Sequence, residues 1–178
     1  MLAILSLPSP LHPAVVHFPI VLILFGAVFA LPALFLPRWH LPIFAAALLA
    51  LGAIGTALAR QSGEHDGKNI RETPAIERVL DRHEEWAERT LIAAIVAAVL
   101  AFGVVATSRW PAVSRSLAVA TVAAAFVSTW CVVETGHYGG QLVYGHGAGV
   151  TLSATGTPGA SANQAAIERK AHRKNDDD

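Results

Sequence analysis

The chain has 178 residues, 53% of them hydrophobic and only 15% charged, a balance far more apolar than that of an ordinary soluble domain, which selects an integral membrane protein. Thirteen basic residues offset thirteen acidic ones, and no basic run is interleaved with aromatic side chains, so a nucleic-acid partner has no support. Cys131 is the single cysteine, which excludes an intrachain disulfide, a thiolate zinc site and the Cys-x-x-Cys-His attachment of a c-type haem.

Residues 1–7 are too short to span and are stopped by Pro8-Ser9-Pro10, so they read as an interfacial lead-in rather than a cleaved signal peptide. A span needs about 20 mostly apolar residues. Four stretches are expected to meet that need, 14–36, 41–60, 87–107 and 116–134, within one transmembrane domain covering 1–150. Pro13 opens the first at a favoured early helical position, and Pro32 is expected to kink its far end. Pro37-Arg38-Trp39-His40 then makes a tight turn on one membrane face, here called face B. The second span runs back to face A through Ala45 to Thr56, rich in the small residues that let membrane helices approach closely. The third (Ala93, Ala97, Ala101) and the fourth (Ala120, Ala124, Ser128) repeat small residues every four positions, which predicts a compact bundle.

The sizeable polar segment 61–89 lies between the second and third spans. Thr73 can cap a helix that Pro74 opens. Ile76, Val79, Leu80 and His83 then recur at i, i+3, i+4 and i+7, which makes this an amphipathic interfacial helix able to run unbroken into the third span. After Glu134 comes a stretch with six glycines between Gly136 and Gly149, expected to form a glycine-lined loop that permits close backbone approach to a ligand. Residues 151–178 are rich in Ser, Thr, Gly and Ala and end in three aspartates, the composition of a disordered tail.

Up-and-down threading brings most of the eight histidines to face A: His12 and His17 before or just inside the first span, His65 in the polar segment, His83 before the third, and His137 and His146 after the fourth. His40 falls on face B, and His172 in the tail. Ionisable groups at membrane depth are rare and usually functional. Neutral imidazole is the commonest metal and haem-iron ligand. Three readings compete: haem b between two axial histidines, with Gly139, Gly140, Gly145 or Gly147 making room and Trp86, Tyr138 or Tyr144 packing on it; a copper or zinc ion gathered by three or four of His12, His17, His83, His137 and His146, with Glu134 as a further candidate; or a polar cap in which the histidines only secure helix ends. His12 and His17 stand about 140° apart on an ideal helix and cannot share a site as simple helical neighbours.

The opening Leu11-His12-Pro13-Ala14-Val15-Val16-His17-Phe18-Pro19-Ile20 and the closing Gly139-Gly140-Gln141-Leu142-Val143-Tyr144-Gly145-His146-Gly147-Ala148-Gly149-Val150 together resemble a bacterial membrane-protein family called domain of unknown function 2231. The resemblance covers roughly residues 10–150 and implies a four-helix integral membrane domain. Some members are joined to cytochrome c or Rieske-type domains, which implies a redox setting. The positions it carries to this chain are His12, His17, Gly139, Gly140, Tyr144, His146 and Gly147.

The expectation is therefore an all-α four-helix bundle in the inner membrane, its histidine-rich face A periplasmic. It is expected to act as an electron carrier or subunit rather than a stand-alone catalyst. His17 and His146 are the first-choice ligands, followed by His83 and His137, and a cytochrome c, a Rieske-type protein or a quinone is the expected partner. The rival reading is a noncatalytic scaffold that docks a redox partner, its histidines structural. A solute or proton pathway is disfavoured because the spans contain almost no ionisable residue.

Overall fold

In the computed structural model, residues 11–36, 40–67 and 73–147 are described. They form α1 (His12–Val15), α2 (His17–Ala33), α3 (Leu41–Gly67), α4 (Pro74–Ala106) and α5 (Pro111–Gly140), with a single π-helical turn, Gln141–Gly145, continuing α5. Four helical stretches are long and apolar enough to cross a membrane, α1 and α2 counting as one. Neighbours in sequence pack against each other, α2 on α3, α3 on α4 and α4 on α5, and α2 closes the ring against α5.

The bundle is small inside and large outside. Ala94, Ala97, Ala125, Ile23, Leu49 and Ser128 are fully buried, whereas Phe18, Val28, Val99 and Trp130 are at least 60% exposed. An apolar exterior of this extent would be an aggregation surface in water and is the natural face toward lipid. Close approach inside rests on small residues: a Cβ on Gly26 would fall 2.7 Å from Leu49 Cδ2, and one on Gly52 2.8 Å from Ile23 Cγ1. The buried hydroxyls of Thr56, Thr121 and Ser128 donate to the carbonyls four residues earlier, Gly52, Leu117 and Ala124. That removes the cost of an unpaired polar group in a dry core.

Three local features place the site. Pro19 cannot donate an N–H to Val15, so one bond of the ladder is missing where α1 meets α2, while Val16 keeps a right-handed helical backbone and His12–Ala33 forms one span. Helix α3 runs to Gly67, well past the apolar limit at Arg60, so part of the expected polar loop is helical. Thr73 caps α4 through the Ile76 N–H, and the amphipathic segment and third span are one continuous helix, as the periodicity predicts. Pro32 lies in the last turn of α2, which ends at Ala33 rather than Leu36. The glycine-rich segment differs from its expected form: Glu134 to Gly140 continue α5 and Gln141–Gly145 form the π turn, so this part is a helix end and not a lid. The turn residues Pro37, Arg38 and Trp39, the rest of the glycine segment after Gly147 and the tail 151–178 lie outside the described residues.

Candidate functional site

The structure brings His12 and His83 together at the face A end of the bundle, their ring centroids 6.1 Å apart and their planes at 89°. Each ring is held by a helix other than its own. His12 Nδ1 lies 2.8 Å from the Ala59 carbonyl and 3.1 Å from Ser62 Oγ on α3, and Ser62 Oγ itself donates to Ala59 O at 2.8 Å. His83 Nδ1 lies 2.9 Å from the Thr135 carbonyl on α5. A carbonyl only accepts, so in both rings Nδ1 carries the proton and Nε2 presents its lone pair. Such a backbone hydrogen bond is the usual way a ligand imidazole is oriented.

The supports are themselves anchored. Asp66 Oδ2 accepts the His12 backbone N–H at 2.8 Å and thereby caps α1, which has no cap of its own. Beneath His83, the Thr90 and Thr135 hydroxyls meet at 3.0 Å while each reaches its own helix's carbonyl, Trp86 O and Cys131 O, at 2.8 Å. Glycine makes room for both rings. A Cβ on Gly63 would be 3.0 Å from His12 Cε1, and one on Gly139 would be 3.2 Å from His83 Cε1.

His83 lies in the charged first part of α4, before the apolar span, with Arg82 and Glu84 exposed on either side of it. Burial lowers its pKa from the ordinary 6.5; the Thr135 carbonyl works against that shift, and the neighbouring His12 adds to it. The ring is therefore held neutral, the form that can ligate. Outside the pair, Arg89 stacks over Trp86 at 4.7 Å and pairs with Glu85, which also meets Arg82 at 3.2 Å.

The other sequence candidates are placed differently. His17 is exposed and its Nδ1 donates back to Pro13 O at 2.7 Å. His137 is exposed, 2.8 Å from Gln141 Nε2 and edge-on to Tyr138. His146 is exposed after the π turn, and Tyr144 is 92% exposed. None of these three histidines joins the His12–His83 pair, and among the described residues no group of three or more His, Cys, Asp or Glu gathers as a metal site. Gly139 abuts His83, Gly140 faces open space, and Gly147 adopts φ +64°, a left-handed backbone that needs glycine.

Sequence reasoning included His12 but did not foresee its partners. Ala59, Ser62, Gly63 and Asp66 recur at i, i+3, i+4 and i+7, the stripe of a helix extended beyond Arg60. That spacing is the signal of the extended helix, and the polar side chains that follow Arg60 mask it because they lie beyond the apolar run.

An all-α bundle with an apolar exterior, small-residue seams and four spanning helices defines an integral membrane protein. Residues 8–152 match the family described as a predicted membrane protein, DUF2231, and the chain belongs to that family. No curated protein and no solved structure matches it.

Proposed function

We propose that this membrane protein holds haem b at face A through His12 and His83 and transfers electrons along that face. The observation that carries the reading is a pair of imidazoles from different helices, each with Nδ1 committed to a backbone carbonyl and Nε2 left as the free donor. A two-histidine donor set suits haem iron, whose macrocycle brings its own four nitrogens, better than zinc, which takes four ligands, or a square copper site.

Bound there, the group would supply one-electron chemistry. Ala59 O and Thr135 O would fix the two rings, Asp66 would hold α1 in place, and burial would keep His83 unprotonated. A site at one face does not reach across about 30 Å of hydrocarbon. Transfer would be lateral, to a cytochrome c, a Rieske-type protein or a quinone, with face A periplasmic in the inner membrane. A specific observation favours a second reading, a scaffold with structural histidines: His12 already ties α1 to α3, and His83 already ties α4 to α5.

Absorption spectra and elemental analysis of protein purified from haem-replete cells separate these readings. The expected result is a low-spin bis-histidine Soret spectrum that is lost in His12→Ala and in His83→Ala and kept in His137→Ala. Loss in His17→Ala and His146→Ala instead would transfer the site to that pair. Copper or zinc without iron would favour the mononuclear site, and colourless, metal-free protein would favour the scaffold.

A further inference from the structure

All thirteen carboxylates of the chain lie at Glu64 or later, and none lies between Glu88 and Glu134. The stretch from Arg38 to Arg115 therefore carries Arg38, His40, Arg60, Arg109 and Arg115 among others, and the four of these nearest the face B ends of the spans, Arg38, His40, Arg109 and Arg115, have no acidic residue near them in sequence. Among the described residues the ion pairs, Arg60–Glu64, Arg82–Glu85 and Arg89–Glu85, all belong to the face A side. Among the described residues no carboxylate lies at face B, so none of them can supply an anion there.

The same face holds a cleft of about 740 Å³ between the ends of α2 and α4 and the starts of α3 and α5. That volume is within the roughly 300–1,000 Å³ usual for small-molecule sites. Its walls are apolar, including Phe35, Ile43, Val104 and Val105, and its polar lining includes Ser108, His40 and Arg115. Ala33, Pro42, Val104 and Ala118 are shared with a second, smaller hollow reaching Ala101 and Thr121, so the apolar part extends inward between the helices. Ser114 Oγ donates to Val104 O at 3.2 Å and ties α5 to α4 beside the cleft. Trp110, 60% exposed, stands in the adjoining turn, where an indole suits the membrane interface.

We propose that this cleft binds an anionic phospholipid, its phosphate held by Arg115 and His40 and its acyl chains lying along the apolar walls. A soluble anion would satisfy Arg115 and leave the apolar walls unused. A zwitterionic lipid would fill the walls and bring a positive charge to a face where no described residue offers a carboxylate to receive it. Basic pockets between membrane helices bind anionic headgroups for this reason. The site is at the opposite end of the bundle from His12 and His83 and does not depend on their role.

The test is native mass spectrometry of the full chain in neutral detergent with equimolar phosphatidylglycerol and phosphatidylcholine. Phosphatidylglycerol should be retained in preference. Arg115→Gln should weaken its binding about fivefold, the effect expected for one arginine near an anionic lipid, with phosphatidylcholine unchanged. Arg115→Lys should restore most of the difference. His40→Asn should weaken binding too, and asparagine tolerates the φ of +57° at this position. Arg60→Gln, at the other face, should have no effect. Because Arg115 is exposed, its variants should keep the helical content of the parent by circular dichroism. Equal retention of the two lipids, equal losses in Arg60→Gln and Arg115→Gln, or equally tight binding of tail-free glycerophosphoglycerol would each overturn the proposal.

Discussion

Alanine at Gly52 should loosen the α2–α3 seam, whereas alanine at Gly136 should strengthen α5. A Cβ on Gly52 would lie 2.8 Å from Ile23 Cγ1 and 3.3 Å from the Ile23 backbone nitrogen. Comfortable carbon contacts begin near 3.5 Å, so Ile23 must retreat by about 0.7 Å. It has nowhere to go, being fully buried and packed with Ala53, Ala94 and Val132. Overpacking of this kind costs about 1–3 kcal/mol, and alanine returns about 1 kcal/mol of helix propensity. The net effect is a destabilisation of about 0–2 kcal/mol. At Gly136 a Cβ would meet nothing within 4 Å, so only the favourable propensity remains. The two variants should therefore differ by about 1–3 kcal/mol in cofactor-free protein. Reversible unfolding by dodecyl sulfate in mixed micelles, followed by far-UV circular dichroism, reads this difference. Gly52→Ala as stable as Gly136→Ala would refute the close helix approach on which the site's geometry depends.

Acidification should destabilise the cofactor-free protein through His83. Its folded pKa is depressed by burial, so its contribution is intact above the ordinary 6.5 and is lost as pH falls below that value. The thermal midpoint should drop from pH 7 to 5.5, and His83→Gln should flatten the slope; an unchanged slope refutes the assignment. Gly139→Ala should displace His83, whose Cε1 and Nδ1 would lie 3.2 and 3.4 Å from the new methyl, and thereby weaken its bond to Thr135. The His83 ring resonances in an NMR spectrum should move while those of His137 stay; the reverse pattern would count against the contact. Thr73→Ala should cost about 0.5 kcal/mol, the low end for a lost N-cap given the long 3.4 Å bond, with increased amide exchange confined to the first turns of α4.

The number of spans, their order and the amphipathic entry to α4 were written in the chain itself, because lipid imposes long apolar runs and backbone pairing within each helix. The cap at Thr73 and the half-buried stripe from Ile76 to His83 follow from local rules that involve only neighbours in sequence. The selection of histidines did not. His12 and His17 are close in sequence but about 140° apart around the helix, and only the packing of α1 on α3 decides that His12 meets a neighbour while His17 stays exposed. His83 finds Thr135 fifty-two positions away because α4 and α5 pack along their lengths. The small-residue stripe of α5 holds at Ser128, which is fully buried, but one and two turns earlier Ala125 and Thr121 are buried where the expected Ala124 and Ala120 are only partly so. Helical period identifies which residues share a face. Which face meets which neighbour depends on crossing geometry set by contacts such as Gly52 on Ile23, and those exist only in the assembled bundle.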